Sequence, residues 1–276
     1  MSNYTKIESY KQQVADYFNA RTNYDRSEFA NCRANSFLKL LPLKKGYKVL
    51  DIATGTGLIA IPAAEIVGNT GKVVGVDIAS VLLSQAQNKI DRRNTATDTR
   101  INVELIEADA ECLNFSENSF DAVLCCSAVM VFQNIPAAFK DWYRFLKPAG
   151  IVAFNAYAET SLMTPAIIKT CSNCGINLPN IHEPLGTVEK CENLLKEAGF
   201  DNIEVTTEQF GKYMSVDDAK KIFDGNTWIH PENPLLQLPV EKKEQLKAEF
   251  ANIIEGLATE KGVWHDITTF FVLARK

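Results

Sequence analysis

Residues 49–57 read Val49-Leu50-Asp51-Ile52-Ala53-Thr54-Gly55-Thr56-Gly57, an apolar strand that runs directly into a glycine turn and then into the helical pattern of residues 59–64. Glycine at 55 and 57 lets the backbone pass close to a ligand where a Cβ would collide, and a helix opening behind the turn aims unpaired N–H groups at the same place. A Gly-x-Gly turn alone is a weak signal. It gains weight from Asp77, twenty residues after Gly57, at the end of the next apolar strand Val73-Val74-Gly75-Val76. A carboxylate there can accept both hydrogen bonds of a ribose diol, which makes the segment a nucleotide-binding motif.

The choice of nucleotide turns on Asp51. A dinucleotide site cradles a pyrophosphate and carries a third glycine where this chain has Ala60. An acidic group at position 51 would repel a pyrophosphate and suits a cationic amino group instead, as on the methionine moiety of S-adenosylmethionine (SAM). A third carboxylate agrees: strand 103–106 leads to Asp109-Ala110, where Asp109 can accept from an adenine amino group. The expected cofactor is therefore SAM. An NAD(P)-dependent oxidoreductase is the competing reading, opposed by Asp51, and a SAM-binding protein without catalysis is the other.

Outward from this motif, strand and helix patterns alternate for over a hundred residues. Strands are expected at 48–52, 72–76, 101–107, 122–126 and, after the Lys147-Pro148-Ala149-Gly150 turn, 151–156; helices are expected through 59–64, 81–90 and 137–146. Strands that are continuous apolar runs belong to a parallel sheet buried on both faces, so the fold class is α/β with helices on both sides. Upstream, Ile7, Tyr10, Val14, Tyr17 and Phe18 mark an amphipathic helix over 6–20. A polar loop, Arg21-Thr22-Asn23-Tyr24-Asp25, separates it from a helix over 27–41. Downstream, 158–186 reads as irregular, followed by a helix capped by Thr187 and ended by Gly199, a strand over 203–209, a helical stretch at 215–223, the loop Trp228-Ile229-His230-Pro231, a helix carrying Leu246, Phe250, Ile253, Ile254 and Leu257, and a last strand over 266–274. The plan is one domain, 1–276. It divides into a helical lid (1–45), a SAM-binding core (46–157) and two substrate-lid insertions (158–186 and 211–263).

The motifs Asp51 to Gly57, Val76-Asp77, Asp109-Ala110, Phe120-Asp121-Ala122-Val123 and Phe145-Leu146-Lys147-Pro148-Ala149-Gly150 resemble the class I SAM-dependent methyltransferases, in particular the ubiquinone and menaquinone biosynthesis branch, over roughly residues 10–210. The resemblance implies a Rossmann-like seven-stranded sheet, mostly parallel with an antiparallel last strand. It also implies a cofactor site built from Tyr24, Asp51, Ala53, Thr54, Gly55, Thr56, Gly57, Asp77, Ile78, Asp109, Ala110 and Ser127. After the fourth strand stands Cys126-Ser127-Ala128-Val129 rather than the Asn/Asp-Pro-Pro-aromatic motif of enzymes that methylate nucleic-acid bases or protein glutamine.

Composition narrows the partners. Of 276 residues 46% are hydrophobic, enough for one sizeable core, and the formal net charge of −5 offers no basic excess to hold a phosphate backbone. No nucleic-acid partner is expected, no segment is apolar for long enough to span a bilayer, and the first residues carry no signal peptide, so the expected location is cytoplasmic. The seven cysteines are read as reduced. Cys171 and Cys174 lack the further ligands of a zinc site, so no metal is expected; a thiol-rich pocket joined by Cys32 or Cys126 is the alternative. Among His182, His230 and His265, the expected catalytic bases are His230, beside Trp228, and His182. The run 241–249, mixed in sign, reads as a solvated helix face. The expected reaction is methyl transfer to an oxygen or nitrogen of a small metabolite, with carbon methylation of a quinone-like ring as the alternative.

Overall fold

The computed structural model describes residues 3–21, 24–97, 99–225, 228–230 and 232–276. Thr22, Asn23 and Pro231, singled out above as loop residues, lie outside the described residues, as does the side chain of Ile7. In chain order the elements are α1 (Asn3–Asn19), α2 (Glu28–Leu40), β1 (Lys48–Ile52), α3 (Ala60–Val67), β2 (Lys72–Asp77), α4 (Ser80–Ala96), β3 (Val103–Glu107), β4 (Phe120–Cys125), α5 (Ile135–Phe145), β5 (Leu146–Tyr157), α6 (Thr164–Asn173), α7 (Val188–Ala198), β6 (Asp201–Gln209), β7 (Lys212–Met214), α8 (Val216–Lys220), α9 (Val240–Gly256), β8 (Val263–His265) and β9 (Thr268–Arg275).

Seven strands form one sheet in the order β3-β2-β1-β4-β5-β9-β6. The pairs β1/β2, β1/β4, β2/β3 and β4/β5 are parallel. β9 runs against β5: Ala149 N–H and Lys276 C=O bond at one end, Ala158 N–H and Thr268 C=O at the other. The mostly parallel sheet with an antiparallel last strand is thus as expected. The order reverses at β1, with β2 on one side and β4 on the other, and in open α/β sheets that switch opens a crevice at the carboxyl ends of the strands. Val49, Leu50, Ile52, Val73, Val76, Val123 and Leu124 are buried, which is what continuous apolar strands covered on both faces require.

Helix starts follow side-chain caps that satisfy otherwise unpaired N–H groups. Ser27 Oγ accepts from Ala30 N–H at 3.2 Å and Asn134 Oδ1 from Ala137 N–H at 3.1 Å. Thr187 Oγ1 accepts from Lys190 N–H at 3.2 Å. Two expectations change. The Lys147–Gly150 turn is absorbed into β5 as an irregularity: its register against β4 slips between Phe120 and Ala122, with Ala149 at φ 62°. The stretch 158–186 is not wholly irregular, because Pro165, a favourable residue in a first turn, opens α6.

The chain divides into two compact units. The first comprises 1–155, 191–206 and 271–276; the second comprises 156–190 and 207–270. The second has its own apolar cluster, in which Ile167, Cys171, Phe223, Trp228, Leu235, Leu246, Phe250, Ile254 and Val263 are buried. Cys171 sits in that cluster, and burial pushes its thiol up to about 11. No helix is long and apolar enough to cross a membrane among the described residues.

Candidate active site

Within the first unit a cavity opens at the carboxyl ends of β1 to β4, with about 980 Å³ of empty space including its open mouth. Of the cofactor residues expected from sequence, Tyr24, Asp51, Ala53, Thr54, Gly55, Thr56, Asp77, Ile78, Asp109, Ala110 and Ser127 line it. Gly57 does not. At φ 79° its missing Cβ would lie 3.1 Å from Ile61 Cδ1, so this glycine serves the turn and the approach of α3 rather than a ligand. Gly55, at φ 54°, lies on the cavity wall.

The carboxylates at the strand ends are held in different ways. Asp77 is fixed by backbone: Gly55 N–H donates to Oδ2 at 2.7 Å and Ala79 N–H to Oδ1 at 2.8 Å. Burial raises its pKa and these N–H groups oppose the shift. Asp51 is 1% exposed. Burial pushes its pKa up to about 7, against the Thr54 hydroxyl, which donates to it at 2.6 Å, and the Ala60 N–H. Asp109 accepts from Glu111 N–H at 3.0 Å and, unexpectedly, from Lys11 Nζ of α1 at 3.1 Å; Lys11 also pairs with Glu111. An adenine amino group would therefore share Asp109 with a lysine.

The opposite wall comes from the first forty residues. Tyr10 Oη donates to Val131 C=O at 2.8 Å, and Asn19 Oδ1 accepts from Val81 N–H at 2.9 Å. Asp25 accepts from Thr56 Oγ1 at 2.5 Å and from Lys89 Nζ at 2.8 Å, which ties the turn Tyr24–Arg26 over the glycine loop. Arg33 of α2 is 4% exposed, lines the cavity and lies 4.4 Å over the Phe29 ring. Its guanidinium hydrogen-bonds the Tyr24 hydroxyl and the Cys126 thiol, and pulls both pKa values down against the upward push of burial.

Sequence reasoning missed Lys11 and Arg33, although a signal was present. Ala30, Arg33, Ala34 and Phe37 fall at helical spacing and are all buried: a charged residue on an otherwise apolar face.

These groups fit SAM. Asp51 suits an ammonium, Asp77 a diol and Arg33 a carboxylate, and the wall at Gly55 carries no Cβ. His182 and His230 belong to the second unit. His182 is 2% exposed, 5.5 Å from the Tyr157 ring, and neither ring nitrogen has a hydrogen bond; burial pushes its pKa down to about 4. His230 Nδ1 accepts from Glu232 N–H at 3.0 Å.

A methyltransferase domain model matches residues 49–150. The chain is 32% identical over 168 residues to the demethylmenaquinone methyltransferase of Staphylococcus saprophyticus, covering 58% of this chain and 68% of that one. It is 30% identical over 178 residues to the ubiquinone/menaquinone biosynthesis C-methyltransferase UbiE of Francisella philomiragia, covering 59% and 70%. Among solved structures it is similar in fold to phosphoethanolamine N-methyltransferase 2 of Haemonchus contortus with S-adenosylhomocysteine bound, at TM-score 0.55 and 23% identity over 94% of this chain and 59% of that one.

Proposed function

Because this chain belongs to the class I SAM-dependent methyltransferases, in the family of the ubiquinone and menaquinone biosynthesis enzymes, we propose that it methylates a ring carbon of a hydroquinone-like small molecule. The observation that carries the acceptor atom is the similarity to a C-methyltransferase over 70% of that enzyme's length. It outweighs the preference for oxygen or nitrogen drawn from sequence.

When bound, SAM supplies a methyl group on a positively charged sulfur, already activated for attack. The chain's contribution is alignment and exclusion of water, where effective concentration does most of the work. In this reading Asp77 holds the ribose, Asp51 the amino group and Arg33 the carboxylate of the methionine end, and Ser127 borders the reacting end. The walls Phe18, Val131 and Phe132 keep the cavity apolar between these polar points, as small-molecule sites are.

A carbon acceptor needs a base. Removing a proton from the ring hydroxyl raises electron density at the neighbouring carbon, and after the new C–C bond forms the ring carbon must lose its proton. Neither of the two histidines expected in this role, His182 and His230, is among the residues that line the cavity.

The test is incubation with SAM and paired acceptors, hydroquinones with one free ring position against catechols and primary amines, with the methyl located by NMR. A ring-methyl product is the expected result. Methyl on oxygen or nitrogen with hydroquinones unmodified overturns the carbon assignment.

A further inference from the structure

The run Ile151-Val152-Ala153-Phe154-Asn155-Ala156-Tyr157 sets one amide in an otherwise apolar, buried stretch of β5. Asn155 is 0% exposed. Its Oδ1 accepts from Ser127 N–H at 2.8 Å and from Ser127 Oγ–H at 3.3 Å. Because the closer partner is an N–H, the oxygen and nitrogen of the amide cannot be exchanged. Nδ2 has no hydrogen-bond partner. Leaving a buried donor unpaired is costly, so what retains an asparagine here is its oxygen.

Ser127 shows what that oxygen does. It follows β4 on the cavity wall with φ 66°, a left-handed conformation that side chains other than glycine seldom adopt and that persists only where neighbours enforce it. With its proton committed to Asn155 Oδ1, the Ser127 hydroxyl keeps its lone pairs for other partners, the Cys126 thiol 3.5 Å away among them.

We propose that Asn155 is a positioning residue for the cofactor site: it holds Ser127 in its left-handed turn and orients the Ser127 hydroxyl so that Oγ meets the bound ligand as an acceptor. The proposal rests on the reading of Ser127 as a cofactor-site residue. It fits an amide rather than a charged carboxylate at this fully buried position, since burial disfavours the charged form, as it does at Asp51.

The experiment is a double-mutant cycle read by calorimetric titration with S-adenosylhomocysteine. Glycine adopts a positive φ without help, so Ser127→Gly removes both the hydroxyl and the need for positioning. Asn155→Leu is expected to weaken binding about tenfold beside Ser127 and by less than about twofold in the Ser127→Gly background, because a positioning role has nothing left to act on. Asn155→Asp, which keeps the acceptor oxygen and is held neutral by burial, is expected to bind within about twofold of the parent. Asn155→Ala repeats the cycle if Asn155→Leu does not fold. Equal losses in both backgrounds overturn the role of Asn155 alone, since a merely structural defect would be blind to Ser127. If Ser127→Gly binds as tightly as the parent and Asn155→Leu is harmless in both backgrounds, the reading of Ser127 falls with it.

Discussion

The two walls of the cavity are built on different terms. At the strand ends, backbone N–H groups hold the carboxylates: those of Gly55 and Ala79 hold Asp77, and that of Ala60 holds Asp51, with the Thr54 hydroxyl beside it as a side-chain partner. On the N-terminal wall, most anchors join side chain to side chain: Lys11 with Asp109 and Glu111, Asp25 with Thr56 and Lys89. Backbone anchors come with the sheet and cost no further ordering when a ligand arrives. Side-chain pairs can open and re-form at about 1 kcal/mol or less each. We infer from the difference that one wall is a fixed template and the other a removable cover, and mutations on the two should then differ in size and in kind.

The largest effect is expected from Asp77→Ala. It removes two hydrogen bonds from a charged acceptor to the ligand, each worth roughly 1.5–3 kcal/mol, so S-adenosylhomocysteine affinity should fall by at least about a hundredfold in calorimetric titration. Because Asp77 also holds the Gly55 N–H, the melting temperature of the ligand-free protein should fall as well. A normal melting temperature with lost binding would mean that the template does not depend on this anchor.

The same contrast decides what could be read from the sequence. Asp51, Gly55 and Asp77 were legible because a strand end and the turn after it are local: alternation of elements fixes which end of the sheet they share. The seven strands and the antiparallel last one were legible through the resemblance. Lys11 and Arg33 were not, since a helical period says which face is buried and not what it meets; Lys11 reaches a carboxylate 98 residues away. Nor was α6, hidden by the prolines and cysteines of 158–186, nor the β7/β8 ribbon, whose short strands find each other across about fifty residues. Arg33 and Asn155 share one signal, a polar side chain at an apolar position of a periodic pattern. Such positions are destabilising unless something is gained, and that makes them readable as candidate site residues.

Asp51→Asn sharpens the comparison at intermediate size. With Asp51 raised to about 7 in the ligand-free protein, attraction for a ligand ammonium is present above that pH and is lost as pH falls through 7. Affinity for S-adenosylhomocysteine should therefore drop about tenfold per unit at the steepest part of the fall below pH 7 in the parent, less where other groups titrate, and vary less in Asp51→Asn. The sign for stability is opposite. A carboxyl whose folded pKa is raised contributes stability that is complete below its unfolded value near 3.8 and is lost as pH rises through 7, so Asp51→Asn should raise the melting temperature at pH 8 while weakening binding there. A variant less stable than the parent at pH 8 would show that the buried charge is not the destabilising element.

Lys11→Met probes the cover, and its effect should be the smallest and of another kind. The lysine and its two carboxylates are 15%, 24% and 12% exposed, enough burial for the network to matter and too little for it to dominate. Loss of about 1 kcal/mol corresponds to a change of roughly fivefold. If α1 is a cover that must lift before the ligand leaves, the change belongs in the dissociation rate, with association nearly unaltered. Stopped-flow displacement of S-adenosylhomocysteine separates the two. Faster release at unchanged association supports a cover gated by Lys11. Slower association with unchanged release would instead make Lys11 part of the entry path, and the N-terminal wall would then belong with the fixed template it faces.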